Sequence, residues 1–221
     1  MALITDTYTK YKITQTLQEH QLRVAAVAKQ ICDNLTISID TTTVIQACLL
    51  HDMGNILKFV FDGSPPEWFQ PEGEEYWKNV KQKFHKKYGD DEHQASLEIA
   101  KEIGVSHKVL ECIDCIDFDT ALENVKRTDI EPKICDYADL RVGPSGVVSV
   151  DQRLEEGRKR YKDRPDKWIK PERWQELSQA CHALETQVFE HSKIKPSDIT
   201  DESIAPIMEQ LRTYEIYPKP L

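Results

Sequence analysis

Apolar residues recur at helical spacing along most of the chain, and this pattern constrains the fold more than any other feature. Near the N-terminus the apolar positions follow one another at steps of three, four or seven residues: Ile13, Leu17, Val24, Val27 and Ile31. Such spacing is typical of the buried face of an amphipathic helix. An alternating strand pattern is confined to a short run at residues 146–150. The sequence therefore predicts an all-α fold, a single-domain helical bundle.

Length and charge narrow the choice of protein class. The chain has 221 residues, of which 39% are hydrophobic and 30% charged, and its net charge is -9. Because a usual domain has about 150 residues, we expect one compact domain over residues 1–221. The negative net charge argues against a nucleic acid polymer as the partner, although a local cluster of arginines can still bind a small anion.

The N-terminus lacks the positive-then-apolar order of a signal peptide, and no apolar run approaches the roughly 18 residues of a membrane span. We therefore expect a cytoplasmic protein with no membrane partner, and the oligomeric state stays open. Six cysteines are scattered through helix-like stretches, which indicates reduced, buried thiols. The spacing of Cys112 and Cys115 also suits a redox or zinc site, but no second such pair is present.

Two histidines and an aspartate fall where apolar residues are expected. His20 occupies a position of the N-terminal apolar stripe, and His51 and Asp52 end the apolar run VIQACLLHDMG just before Gly54. A buried carboxylate or imidazole without a partner has a large desolvation penalty. A divalent cation would compensate for that penalty, because imidazole and carboxylate groups are the ligands that such ions prefer.

A site of this kind needs ligands from more than one helix. Adjacent residues on a helix point about 100° apart, so His51 and Asp52 can share an ion only if it lies between helices. Asp136 and Asp139, three residues apart on one predicted helix, are the candidates for a further carboxylate. The spacing alone leaves both open.

These residues resemble the H…HD…D signature of the HD-domain metal-dependent phosphohydrolase superfamily. The matching segments are EHQLRVAAVA with His20, LLHDMGN with the doublet, and YADLRVG with Asp139. The resemblance implies a helical bundle with an HD core at about residues 12–142 and a C-terminal helical extension at about 149–221. It also implies a set of metal ligands: His20, His51, Asp52 and Asp139. Asp139 is preferred over Asp136 because it follows an alanine, as in the family pattern.

His93, in DDEHQASLEIAKEIG, resembles the extra histidine that binuclear members place before a helix ending in glycine. The companion histidine of those members is not evident in the segment ECIDCIDFD. The number of ions, one or two, therefore stays open. Contact with a phosphate, proton donation and a simple surface role are the alternatives for His93.

Several other residues are predicted to contact a substrate. Arg23, one turn after His20, and Lys58, shortly after the doublet, could stabilise developing negative charge. Arg141 and Arg153 follow the last ligand and could hold a distal phosphate, although solvated helix charges are as good an interpretation. Trp68 lies in the proline-rich segment 59–71, which is long enough for a lid, and could stack on a nucleobase.

The hypothesis from the sequence is a metal-dependent phosphohydrolase that cleaves a phosphate ester of a small phosphorylated substrate, with a nucleotide as the favoured class. The phosphohydrolase activity is what the resemblance implies. The cofactor would be a divalent ion (Mn, Mg, Co, Ni, Fe or Zn) that activates water and draws in a phosphoryl oxygen. A non-catalytic metal- or nucleotide-binding regulatory module and a diiron oxygenase are the alternatives.

Overall fold

The computed structural model describes residues 2–61, 66–161 and 170–217. The α-helices of this part are, in chain order, α1 (Ile4–Lys10), α2 (Gln15–Asp33), α3 (Thr41–Leu50), α4 (Glu74–Tyr88), α5 (Glu92–Ile103), α6 (His107–Asp114), α7 (Ala121–Asn124), α8 (Ile130–Leu140), α9 (Val150–Tyr161), α10 (Pro171–Phe189) and α11 (Asp201–Leu211). The prediction of an all-α fold is confirmed.

Strands contribute little to the described part of the chain. β1 (Ala2–Leu3) pairs antiparallel with β4 (Glu215–Ile216), and β2 (Val142–Gly143) pairs antiparallel with β3 (Gly146–Val147). The first ribbon joins the two chain ends, and the second directly follows α8. Short 3-10 helices lie at four places: Asn55–Lys58, Pro66–Phe69, Phe118–Thr120 and Pro196–Asp198.

Helix α3 forms the centre of the bundle. Every residue from Thr43 to Leu50 is buried, as expected for a helix that is covered on all sides. Its N-terminus is capped by Asp40, whose carboxylate accepts a hydrogen bond from the Thr43 backbone N–H at 3.1 Å. Helices α2, α6 and α8 pack around α3. This packing brings the ends of α3 and α8 close to the middle of α2.

The C-terminal helices pack on the same core. Helix α10 lies against α7 and α8, and α11 lies against α2. All six cysteines are buried without a disulfide, which confirms the prediction of buried thiols. Within the described ranges no helix is both long enough and apolar enough to cross a membrane.

The segment 59–71 is described only in part, because residues 62–65 lie outside the described residues. The rings of Phe59 and Phe61 pack against Phe69, with centroids 6.4 and 5.2 Å away, and Phe69 is buried. Trp68, in contrast, is 45% exposed. Phe69 is therefore part of the core, and Trp68, the predicted stacking residue, faces solvent.

Candidate metal centre

Three helices bring two histidines and two aspartates together. His20 lies in the first half of α2, His51 and Asp52 follow the last turn of α3, and Asp139 lies in the last turn of α8. Each helix is placed by its own apolar face, so the polar residues meet because the bundle packs. The first and last of these residues, His20 and Asp139, are more than 100 residues apart in the sequence.

One carboxylate oxygen of each aspartate lies close to the Nε2 atoms of both histidines. Oδ1 of Asp139 lies 3.1 Å from Nε2 of His20 and 3.5 Å from Nε2 of His51. Oδ2 of Asp52 lies 3.6 Å from Nε2 of His20 and 3.7 Å from Nε2 of His51. One ligand atom from each of His20, His51 and Asp52 falls within 4.8 Å of the others, and Asp139 closes the group from α8. We call these four residues the His/Asp cluster.

The tautomer of His51 shows that the His/Asp cluster suits a cation. Nδ1 of His51 donates a hydrogen bond to the backbone carbonyl of Cys48 at 2.8 Å, so a neutral ring has its lone pair on Nε2. That Nε2 is buried, and in the described part of the chain it has no hydrogen-bond partner. A lone pair that faces two carboxylates is unfavourable unless a positive charge lies between them. A divalent ion with nitrogen and oxygen ligands meets this need.

The pKa shifts within the His/Asp cluster also indicate that it suits a cation. Burial lowers the pKa of His51, but the Asp52 and Asp139 carboxylates outweigh burial and raise it to about 10. Burial raises the pKa of Asp139, but the neighbouring His20 and His51 rings bring it well below its usual range. Positive charge is therefore favoured where the four side chains meet.

The turn after α3 is held by contacts that the sequence analysis missed. Nδ2 of Asn55 donates to Oδ2 of Asp52 at 2.8 Å, and the backbone N–H of Asp52 donates to Oε1 of the buried Gln21 at 3.4 Å. The backbone N–H of Gly54 donates to the Ser96 hydroxyl at 2.8 Å. A Cβ at Gly54 would clash with α5, so glycine permits the close approach. The Asp-x-x-Asn spacing was the available signal.

Two of the predicted cationic residues lie near the His/Asp cluster and are paired with carboxylates. Nζ of Lys58 lies 2.6 Å from Oε1 of Glu92. Burial lowers the pKa of Lys58, but the Glu92 hydrogen bond and the Asp52 charge raise it overall, so the ammonium stays charged. Nε of Arg23, one turn along α2 from His20, lies 3.4 Å from Oδ1 of Asp201 on α11.

His93 lies in the first turn of α5 and pairs with an aspartate. Its Nε2 is 3.1 Å from Oδ1 of Asp114, the exposed residue that ends α6. Asp114 belongs to the segment in which no companion histidine was found. The His93 and Asp114 side chains thus form a pair of their own beside the turn that carries Asp52.

Arg141 does not reach the His/Asp cluster. It is 4% exposed, and its guanidinium donates to the Tyr137 hydroxyl at 2.7 Å and to the Val148 carbonyl at 2.5 Å. Further hydrogen bonds go to the carbonyls of Pro196 and Ile199. The structure therefore places this residue in a buried network, and the predicted clamp on a distal phosphate is not supported.

The other predicted substrate contacts are not brought to the His/Asp cluster. Arg153 pairs with Glu156 on α9 at 2.9 Å, which is the solvated helix charge that the sequence analysis kept as an alternative. Asp136, the competitor of Asp139, is buried one turn earlier in α8, where its Oδ2 accepts a 2.7 Å hydrogen bond from Nδ2 of Asn124. Asp139 is thus the α8 carboxylate beside the histidines.

Comparison with known proteins gives one match. The family model described as HD domain matches residues 17–140, which is more than half of the 221 residues and includes all four residues of the His/Asp cluster. No curated protein matches the chain, and no solved structure matches it. On the strength of that match, the chain belongs to the HD domain family.

Proposed function

We propose that this protein is a metal-dependent phosphohydrolase that cleaves a phosphate ester of a small phosphorylated substrate, with a nucleotide as the favoured class. The observation that carries the proposal is the buried Nε2 of His51, which has no hydrogen-bond partner among the described residues and lies near the carboxylates of Asp52 and Asp139. Membership of the HD domain family supports the same reaction class.

The His/Asp cluster would hold one divalent ion. Such an ion lowers the pKa of bound water and polarises a phosphoryl oxygen. The protein's part is to fix the ligands: the Cys48 carbonyl orients the His51 ring, and Asn55 orients the Asp52 carboxylate. These contacts behind the ligands keep the four groups convergent before substrate arrives.

Lys58 and Arg23 would stabilise negative charge on the phosphoryl group. Lys58 stays protonated between Asp52 and Glu92, so its ammonium can donate to a phosphoryl oxygen near the His/Asp cluster. Arg23, one turn along α2 from His20, contacts Asp201 through Nε and would supply a second positive charge. Pre-placed cations of this kind favour the transition state because the charge develops there.

His93 would serve as the proton donor to the leaving alkoxide. It is the neighbouring imidazole outside the ligand set, and Asp114 accepts a hydrogen bond from its ring at 3.1 Å. An aspartate that orients a histidine and stabilises its protonated form is a common arrangement for acid catalysis.

The first experiment measures phosphate release from phosphomonoesters, nucleotides and cyclic nucleotides with several divalent ions. We expect ion-dependent turnover that is lost in Asp52→Ala. Asp33→Ala is the matched control, because Asp33 ends α2, the helix that carries His20, and pairs with Lys29 at the surface. Stoichiometric ion binding without turnover of any substrate would contradict the proposal and favour a regulatory module.

A second experiment tests the nucleotide class through Trp68, which is 45% exposed and can offer an indole face. Stacking of a base on an aromatic ring contributes about 0.5–1.5 kcal/mol. We therefore expect Trp68→Ala to lower kcat/KM for a nucleoside monophosphate about two- to ten-fold, with no change for a non-aromatic phosphate ester. An unchanged ratio of the two values would remove the stacking role.

A further inference from the structure

A second concave surface lies away from the His/Asp cluster, between the end of α1 and the C-terminal turns of α4 and α5. Its volume is about 350 Å³, and four lysines and one carboxylate line it: Lys10, Lys12, Lys83, Lys87 and Glu102. We call these five residues the basic cavity. Tyr11 and Tyr88 also contribute to its walls.

The charge of the basic cavity is opposite to that of the protein. Four lysines and one glutamate give a local charge of +3, whereas the whole chain carries -9. Lys87 pairs with Glu102 at 2.8 Å. Within the described ranges, Lys10, Lys12 and Lys83 have no carboxylate within salt-bridge distance. Three uncompensated ammonium groups thus converge on one concave surface, where an anion would relieve their repulsion.

Lys12 occupies a backbone position that suits glycine. Its φ is 55°, and the hydrogen bond from the Ile13 N–H to the Tyr8 carbonyl at 3.0 Å marks the left-handed end of a helix. Among the described residues no other non-glycine residue has a positive φ. A side chain lowers stability at such a position. The benefit of lysine must therefore lie in its side chain, which lines the basic cavity.

One wall of the basic cavity is fixed before any ligand binds. Glu102 accepts hydrogen bonds from Lys87 at 3.0 Å, from the Tyr88 hydroxyl at 3.1 Å and from the Tyr11 hydroxyl at 3.3 Å. The ammonium of Lys10 lies 5.0 Å from the centre of the Tyr11 ring, and that of Lys87 lies 4.6 Å from the Tyr88 ring. The lysines thus cover ring faces that a base would otherwise stack on, so recognition would depend on charge.

We propose that the basic cavity binds the phosphate chain of a small polyanion, such as inorganic tripolyphosphate or a nucleoside triphosphate. Lysine ammonium groups suit this chemistry because each is a compact point charge that can contact a different phosphate. None of the four residues of the His/Asp cluster lines this cavity, and Glu102 lies at the opposite end of α5 from His93, about 13 Å away at 1.5 Å per residue. The proposal therefore stands independently of the proposed hydrolysis.

The test is titration calorimetry of tripolyphosphate into the full chain after a chelator has removed metal, at low salt. Metal removal silences the His/Asp cluster, so the result does not depend on the proposed function. We expect one binding site per chain. Lys12→Gly and Lys83→Gln should each weaken binding about ten-fold or more, since each removes one charge-assisted hydrogen bond. Lys126→Gln, an exposed lysine elsewhere, is the matched control.

Lys12→Gly separates a binding role from a folding role. Because glycine suits the left-handed backbone, this variant should melt about 2–4 °C higher than the wild type while it loses affinity. Binding that is equal in wild type, Lys12→Gly and Lys83→Gln would overturn the proposal.

Two further titrants identify the source of the phosphate chain. ATP and tripolyphosphate should both bind, and the tighter of the two names the better ligand. Adenosine, which has no phosphate, should not bind. Adenosine binding at the affinity of ATP would overturn recognition through the phosphate chain.

Discussion

Two aspartates one turn apart in α8 have opposite surroundings. Asp139 faces His20 and His51, which hold its pKa well below the usual range. Asp136, three residues earlier, is 2% exposed. Burial there raises its pKa well above the usual value, against the one stabilising hydrogen bond from Asn124. The Asp139 carboxylate is thus an anion that needs a cation, and the Asp136 carboxyl group prefers to keep its proton.

The difference shows that neighbouring positive charge, and not burial, marks the functional carboxylate. Asn124 holds Asp136 by a hydrogen bond, whereas His20 and His51 contact Asp139. One turn of α8 therefore carries a carboxyl group with a structural role and a carboxylate that faces two histidines, and variants at the two positions should have different consequences.

The largest contrast is expected in metal affinity. Removing a residue behind a ligand lowers metal affinity about 10- to 100-fold, so replacing a ligand itself in Asp139→Asn should lower it by about 1,000-fold or more. Asp136→Asn is the matched variant and should keep wild-type affinity. Competition with a chromogenic chelator, with metal content measured independently, checks both. An equal loss of metal affinity in the two variants would contradict the difference inferred between the two aspartates.

Metal removal should destabilise the wild type and spare Asp139→Asn. An ion present at 1,000 times its Kd stabilises the fold by about 4 kcal/mol, which corresponds to about 10 °C in Tm for a chain of this size. Calorimetry before and after chelation measures the shift. If the wild-type melt does not move after verified metal removal, the ion does not bind in the core as inferred.

The helices, and His20, His51 and Asp52 as residues in need of a partner, could be predicted from the sequence because both depend on local rules. Helical spacing reports burial, and His20 or Asp52 at an apolar position needs a compensating partner. Spacing left Asp136 and Asp139 open, and only the resemblance selected Asp139. Asp139 lies beside His20 and His51 because α8 packs against α2 and α3, and such packing cannot be read from spacing.

The partners of the basic residues could not be predicted from the sequence. Arg141 lies two residues after Asp139, yet the carbonyls that accept its hydrogen bonds belong to Pro196 and Ile199, more than fifty residues away in the sequence. Asp201 is even farther from Arg23 along the chain. An arginine looks the same in a sequence whether its donors meet a substrate or the backbone, so only tertiary packing distinguishes the two.

Arg141→Ala should act on stability and leave substrate binding unchanged. The substitution leaves buried carbonyls and the Tyr137 hydroxyl without a donor, which costs about 2–4 kcal/mol and lowers Tm by about 5–10 °C. Arg158→Ala, on the exposed side of α9, is the control and should melt like the wild type. Thermal melts and the KM of the best substrate, measured for wild type and both variants, test this prediction. A raised KM with an unchanged melt would restore the phosphate clamp and contradict the buried network.

The last contrast should appear in the pH dependence of stability, through Asp136. Its folded pKa is raised above the unfolded value, so its contribution to stability is complete below about pH 4 and declines as the pH rises towards the folded pKa. Each pH unit in that window lowers the free energy of unfolding by about 1.4 kcal/mol. Asparagine does not titrate, so Asp136→Asn should show a flatter decline in Tm as the pH rises above about 4. Asp33→Asn, at the surface, should keep the wild-type slope. Parallel curves for wild type and Asp136→Asn would mean that Asp136 is ionised in the folded protein, and the contrast between the two aspartates of α8 would then rest on metal affinity alone.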